Sequence, residues 1–204
     1  KQIEAALKQP VEATALVPGK AAGERPRDIT SPHDRGVKVG TISEASDAQV
    51  EAAIVAADKA QDSWNAMGGK GRAEALERAA DLYEQHAPRL YALLIREAGK
   101  TLDNAQADLR EAVDFLRYYA AEAREKFFRP EDMPGPTGEL NQLYLHGRGV
   151  FACIAPWNFP LAIFTGQTAA ALAAGNTVLA KPAEQTPLIA YEAVRLMHEA
   201  GVPA

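Results

Sequence analysis

Cysteine is nearly absent: Cys153 stands alone among 204 residues, which excludes an intrachain disulfide framework and any cluster of Cys and His at metal-ligand spacing. That usage suits a reducing cytoplasm. Basic charge is also scarce, since 22 Lys and Arg face 27 Asp and Glu for a net charge of -5. A face broad enough to neutralise a phosphate backbone is not expected, so nucleic-acid binding has no obvious source. Long apolar runs are missing as well. The longest, Phe159 through Ala174, is broken by Pro160, Thr165, Gly166, Gln167 and Thr168, and is too polar and too short to span a bilayer. No charged start leads into the apolar stretch of a secretory signal. The chain opens on Lys1 and stops at Gly201-Val202-Pro203-Ala204, past a helical pattern and where a strand would come next, so both ends read as cut. What is present, 47% hydrophobic and 24% charged residues, is enough for one sizeable core. No internal repeat interrupts it.

Residues 1–40 read as an extended approach. Pro18-Gly19, Arg25-Pro26 and Ser31-Pro32 break it, leaving at most one short strand at Val37-Lys38-Val39 and no core. Residues 41–138 are then helical. Ser46 and Gln49 form a capping-box pair ahead of Val50, Ile54, Ala57 and Trp64, whose spacing predicts an amphipathic helix over 47–64. A second pattern runs through Leu76, Ala79, Ala80 and Tyr83. A third starts near Pro88, with Leu90, Leu93, Leu94 and Glu97 before Gly99. The longest carries Leu102, Ala105, Leu109, Val113, Leu116 and Ala120 on one face from Thr101 to about Lys126. Pro130, Pro134, Gly135, Pro136 and Gly138 follow as a loop, and residues 139–148, of mixed polarity, read as an edge strand or hairpin.

From Gly149 the texture changes. Val150 to Ala155 is a continuous apolar run between Gly149 and Pro156, the pattern of a strand buried on both faces of a parallel sheet. An Ala-rich helix over 160–174, a second buried strand over 177–180 and a helix over 187–200 complete residues 149–204 as strand, helix, strand, helix. The fold class is therefore α/β, a helical layer on the opening of a doubly wound parallel nucleotide-binding sheet. Ligands of such sheets bind at the carboxyl ends of the strands, where Pro156-Trp157-Asn158-Phe159-Pro160 falls. On spacing alone, a ligand-facing Asn158 and an Asn158 that merely caps a helix opened by Pro160 stand level. No Gly-x-Gly-x-x-Gly loop marks the first crossover.

The PWNFP segment, Gly166-Gln167, and the run from Ala171 through Gly175-Asn176-Thr177-Val178 to Lys181-Pro182-Ala183-Glu184 and Pro187 resemble the aldehyde dehydrogenase superfamily. Arg96-Glu97-Ala98-Gly99-Lys100-Thr101 and Arg110 through Tyr119 are similar to the pyrroline-5-carboxylate dehydrogenase domain of bifunctional proline-utilization enzymes. The resemblance covers nearly the whole chain after about Thr30.

The resemblance implies an NAD-dependent oxidation of L-glutamate γ-semialdehyde to glutamate in proline catabolism. A cysteine thiolate attacks the aldehyde, the oxyanion is held by a backbone N–H and by the PWNFP amide, hydride passes to NAD, and a glutamate-activated water releases the acid. Asn158 would be that amide donor. Lys181 and Glu184 would hold the adenosine ribose, although without the motif they read as a solvated charge pair. Ile154, Ala155, Pro156 and Trp157 would line the cofactor groove; Glu111 would meet the substrate's amino group and Phe159 its aliphatic part. Glu111 lies beside the apolar stripe of its helix, where a solvated carboxylate also fits. Cys153 sits inside an apolar strand, where thiolate formation is disfavoured, and is expected to be core. The nucleophile and general base would lie beyond Ala204, leaving these residues inert alone. The family further implies a homodimer or higher oligomer joined through the hairpin at 139–148, no metal, and flavin only in a proline dehydrogenase domain outside this chain. Two other readings stay open: a dehydrogenase of a different aldehyde, and a non-catalytic nucleotide-binding or interaction module.

Overall fold

The computed structural model describes residues 2–6, 10–17 and 25–204. Its elements are α1 (Gln2–Ala6), β1 (Val11–Thr14), β2 (Arg27–Ser31), β3 (Asp34–Ser43), α2 (Asp47–Ala66), α3 (Gly68–Gln85), α4 (Ala87–Arg96), α5 (Leu102–Lys126), β4 (Glu131–Met133), β5 (Asn141–Leu143), β6 (Val150–Ile154), α6 (Ala162–Ala173), β7 (Thr177–Lys181) and α7 (Pro187–Glu199). Local chemistry accounts for most helix starts. Ser46 and Gln49 close the expected capping box on α2, Pro88 lies in the first turn of α4, and Thr101 Oγ1 accepts the Asn104 N–H at 3.3 Å to open α5.

The first forty residues depart from expectation. Instead of an extended approach, β1, β3 and β2 form a three-stranded sheet, β1 parallel and β2 antiparallel to β3. Its inward residues Val11, Ala13, Ile29 and Ile42 belong to the core and pack toward α7. The prolines mark the joints rather than forbid the strands: Pro10 and Pro26 precede β1 and β2, and Pro32-His33 make the turn between Ser31 and Asp34, which pair. Pro18-Gly19 lie outside the described residues.

β6 and β7 run parallel in register from Val150 opposite Thr177 to Ile154 opposite Lys181, joined by the crossover α6, and α7 follows. Two expectations about burial fail here. Phe151 is 42% and Ile154 67% exposed, so β6 is not covered on both faces; among the described residues β7 is its only strand neighbour. In α2, Val50 and Ile54 remain exposed while Trp64 is buried. Only the C-terminal half of that helix docks: Gln61 bonds the Gly175 carbonyl at 2.8 Å and the Thr177 N–H at 2.9 Å, and Trp64 Nε1 donates to the Leu172 carbonyl at 3.0 Å. The expected hairpin also starts earlier, because β5 pairs with β4 inside the proline-glycine stretch.

The core lies where α3 packs on α5 and α5 on α6, around Leu76, Leu116 and Phe164, all buried. Gly69 permits the first of these approaches, since a Cβ there would fall 2.0 Å from the Ala123 carbonyl oxygen.

The helical layer also terminates the two helices that follow β6 and β7. Neither α6 nor α7 has a side-chain cap at its own N-terminus. Instead Asp108, from α5, accepts the Ala162 N–H at 2.7 Å, and Glu97, following α4, accepts the Leu188 and Ile189 N–H groups at 2.6 and 2.9 Å. At the opposite ends, Arg72 Nε donates to the Ala173 carbonyl at 3.0 Å and Arg78 Nε to the Ala200 carbonyl at 2.8 Å. Acidic side chains accept from the N–H groups at one end of each helix and guanidinium groups donate to the carbonyls at the other.

Candidate active site

The parallel register places Ile154 and Lys181 side by side at the carboxyl ends of β6 and β7, and the Ala155 N–H donates to the Lys181 carbonyl at 3.0 Å. The chain then turns through Pro156 to Phe159 before α6. Ala155 is buried and Pro156 half-buried, whereas Trp157, Asn158 and Phe159 are exposed. The Asn158 carboxamide makes no hydrogen bond to another described residue. Phe159 has its ring 4.6 Å from the Lys100 ammonium.

Lys181, the last residue of β7, and Glu184, on the loop between β7 and α7, are both exposed. Arg27 Nη2 donates to the Glu184 carbonyl at 2.7 Å while Arg27 Nε donates to Glu44 at 2.7 Å, which ties this loop to the first sheet. The register thus brings Ile154 and Lys181, with Ala155, Pro156 and Trp157 following Ile154, to the carboxyl ends of β6 and β7, where sheets of this kind open a ligand crevice, with Glu184 three residues beyond Lys181. Glu111 stands exposed on α5, one turn past Asp108; no contact joins it to Phe159.

Burial shapes the ionisable groups around the crevice. The Cys153 thiol is buried and burial pushes it up, which disfavours the thiolate a nucleophile needs. The Asp108 carboxyl is likewise raised by burial, against the Ala162 N–H and the Lys100 charge that favour ionisation. Glu97 is pushed up to about 8 by burial, offset in part by its two N–H donors and by Arg27. Because Asp108 and Glu97 already occupy the N-termini of α6 and α7, those ends are not free to receive a dinucleotide pyrophosphate, in keeping with the missing glycine-rich loop. Among the described residues no group of three His, Cys, Asp or Glu side chains is placed to hold a metal, and no helix is long and apolar enough to cross a membrane.

Sequence comparison resolves which family builds such a crevice: residues 19–204 match the model of the aldehyde dehydrogenase family. The chain belongs to that family. It is 50% identical over 198 residues to the bifunctional protein PutA of Klebsiella aerogenes, covering 97% of this chain and 13% of that protein. The solved PutA of Bdellovibrio bacteriovorus superposes with a TM-score of 0.93 at 36% identity, covering 99% of this chain and 22% of its own. A 1-pyrroline-5-carboxylate dehydrogenase from Thermus with bound NAD superposes with a TM-score of 0.92 at 34% identity over 99% of this chain and 40% of that one. The aldehyde dehydrogenase fold is therefore present as an α/β unit, and the chain spans well under half the length of the relatives it matches.

Four residues of this part of the aldehyde dehydrogenase fold were given no structural role by the sequence reading: Arg27, Glu97, Lys100 and Asp108. A signal existed for two of them. Glu97 continues the Leu90, Leu93, Leu94 stripe, and Asp108 lies three residues past Ala105 and four before Ala112 on the apolar face. An acidic residue on a buried stripe must find a partner there. Which partner is not encoded locally.

Proposed function

We propose that this chain forms part of an NAD-dependent dehydrogenase that oxidises L-glutamate γ-semialdehyde to glutamate in proline catabolism. The observation that carries the reading is the exposed Asn158 carboxamide in the turn after β6, with no hydrogen bond from it to another described residue. An amide held there can meet the negative charge that develops on an aldehyde oxygen during acyl transfer. The names of the PutA and 1-pyrroline-5-carboxylate dehydrogenase relatives support the substrate, and the bound NAD of the Thermus enzyme supports the cofactor.

In this reading Ile154, Ala155, Pro156 and Trp157 would offer an apolar wall and backbone edge to that cofactor, and the exposed Lys181 and Glu184 would offer polar groups for its ribose. A carboxylate at 184 accepts from ribose hydroxyls and repels a 2′-phosphate, which favours NAD over NADP. NAD, when bound, accepts the hydride. The chain's own contributions are Asn158, which would stabilise the oxyanion, Phe159, which would pack on the aliphatic part of the substrate, and Glu111, which would attract its ammonium group. With Cys153 buried, the nucleophile and general base are assigned to sequence beyond these residues, as is any flavin chemistry. The same reading places the parent enzyme in the cytoplasm. It also assigns the exposed hairpin of β4 and β5, with Met133, Leu140 and Leu143, to contact between copies in a homodimer or higher oligomer.

Asn158→Ala in the complete dehydrogenase is the direct test. Loss of one preorganised oxyanion donor lowers kcat by roughly 100- to 1000-fold, with a smaller effect on aldehyde KM. A kcat within a few-fold of the unaltered enzyme removes Asn158 from catalysis. Glutamate semialdehyde is compared with a straight-chain aldehyde of equal length, and a preference for the latter overturns the substrate assignment.

A further inference from the structure

The segment carrying Asn158 is gripped from outside the nucleotide-binding strands. Lys100, which follows the Gly99 turn, places its ammonium 4.6 Å from the centre of the Phe159 ring and 3.1 Å from Asp108 Oδ2. The side chain of Asp108 is fully buried and that of Lys100 is 13% exposed. The other carboxylate oxygen of Asp108 accepts the Ala162 N–H at 2.7 Å. One carboxylate therefore holds the backbone four residues after Asn158 and, through the ammonium, the ring immediately next to it.

This arrangement differs from an ordinary buried ion pair. A lysine enclosed by a carboxylate and an aromatic face has few rotamers left, and a buried carboxylate is tolerated only beside an opposite charge, which Lys100 supplies to Asp108. Each partner thus restricts the other, and both restrictions converge on residues 158 to 162. Without the ammonium, the half-exposed Phe159 ring loses the contact that fixes its direction. Without the carboxylate, α6 loses the acceptor at its first turn.

We propose that Lys100 and Asp108 act as a positioning pair, orienting the Asn158 carboxamide toward the reacting oxygen and setting Phe159 as a rigid wall of the substrate pocket. The proposal rests on the oxyanion role assigned to Asn158. Neither residue touches the reacting atoms; both act through the segment they clamp. Displacement of a catalytic group by about 1 Å can cost up to about 100-fold in rate, so loosening this clamp should appear in chemistry and in aldehyde selectivity.

The test compares Lys100→Met, Lys100→Arg, Asp108→Asn and the double variant Lys100→Met/Asp108→Asn in the complete dehydrogenase, with Asn158→Ala measured alongside. Lys100→Met keeps the apolar stem, and Asp108→Asn keeps an acceptor for the Ala162 N–H, so both are expected to fold. The expected result is a kcat lowered by roughly tenfold and a weakened preference for glutamate semialdehyde over a straight-chain aldehyde, at unchanged KM for NAD. Lys100→Arg, whose cation can still cover the ring and pair with Asp108, restores most of the rate. The double variant loses no more than the worse single one, since the two residues act as a unit. A Lys100→Met enzyme with lowered thermal stability but unaltered kcat and aldehyde preference overturns the positioning role while leaving that of Asn158 intact. An Asn158→Ala enzyme with unaltered kcat overturns both.

Discussion

Glu97→Gln probes how a buried carboxyl can close a helix when burial outweighs the donors and the charge that favour its ionisation. Glu97 is 3% exposed and accepts the N–H groups of Leu188 and Ile189. Burial lifts its carboxyl from an ordinary 4.5 to about 8. Because the folded value lies above the unfolded one, the folded state holds the proton more tightly between them. The stabilisation is complete below about pH 4.5 and is lost as pH rises to about 8, a linkage effect of up to about 5 kcal/mol.

Glutamine keeps one carbonyl acceptor but turns an NH2 group toward the second N–H, so near pH 5 the variant should be less stable by about 1–3 kcal/mol. Near pH 8 the native residue has forfeited its own linkage contribution, and the penalty should vanish or reverse. Urea denaturation of both proteins, followed by far-ultraviolet circular dichroism at acidic, neutral and mildly alkaline pH, reads the difference directly. A penalty that stays constant or grows with pH refutes the reasoning. It would mean that the N-terminal field of α7 outweighs burial and keeps Glu97 ionised.

Further consequences can be measured with single substitutions. Gly175→Ala, at φ +88° and with a Cβ that would sit 2.5 Å from Asn65 Oδ1, should destabilise by more than about 1 kcal/mol, read as a lowered urea midpoint at unchanged slope. Trp64→Phe keeps most of the buried ring but removes the donor to the Leu172 carbonyl, and a loss of about 1–3 kcal/mol in the same assay is expected. Glu184→Gln in the complete dehydrogenase should raise KM for NAD by roughly 10- to 100-fold, the weight of a charge-assisted hydrogen bond, and narrow the preference over NADP. An unchanged cofactor preference would exclude Glu184 from the ribose.

Helix limits were legible because their determinants are local. Ser46, Thr101 and Pro88 announce starts, Gly99 and Gly175 announce stops, and the apolar spacing from Ala105 to Ala120 describes a face that is buried. The PWNFP and Lys181 to Glu184 segments were legible only through their resemblance to the aldehyde dehydrogenase family, since spacing alone left Asn158 open and read Lys181 and Glu184 as a solvated charge pair. β1 and β2 were missed because their partners are distant: Val11 pairs with Gly40 and Arg27 with Ile42. Short strands among prolines carry little periodicity of their own.

The sequence by itself determined the succession of the main helices from α2 to α5 and the strand-helix-strand-helix order from β6 to α7 with its parallel crossover, because each follows from short-range patterning and steric preference. Only the tertiary structure decided that Glu97 and Asp108 terminate α7 and α6, that Arg72 and Arg78 close their far ends, that Arg27 secures the loop of Glu184, and that Lys100 lies on Phe159. These are contacts between charges and backbone groups as many as 157 residues apart. Their existence depends on which surfaces the fold brings together, a property no local window of the chain contains.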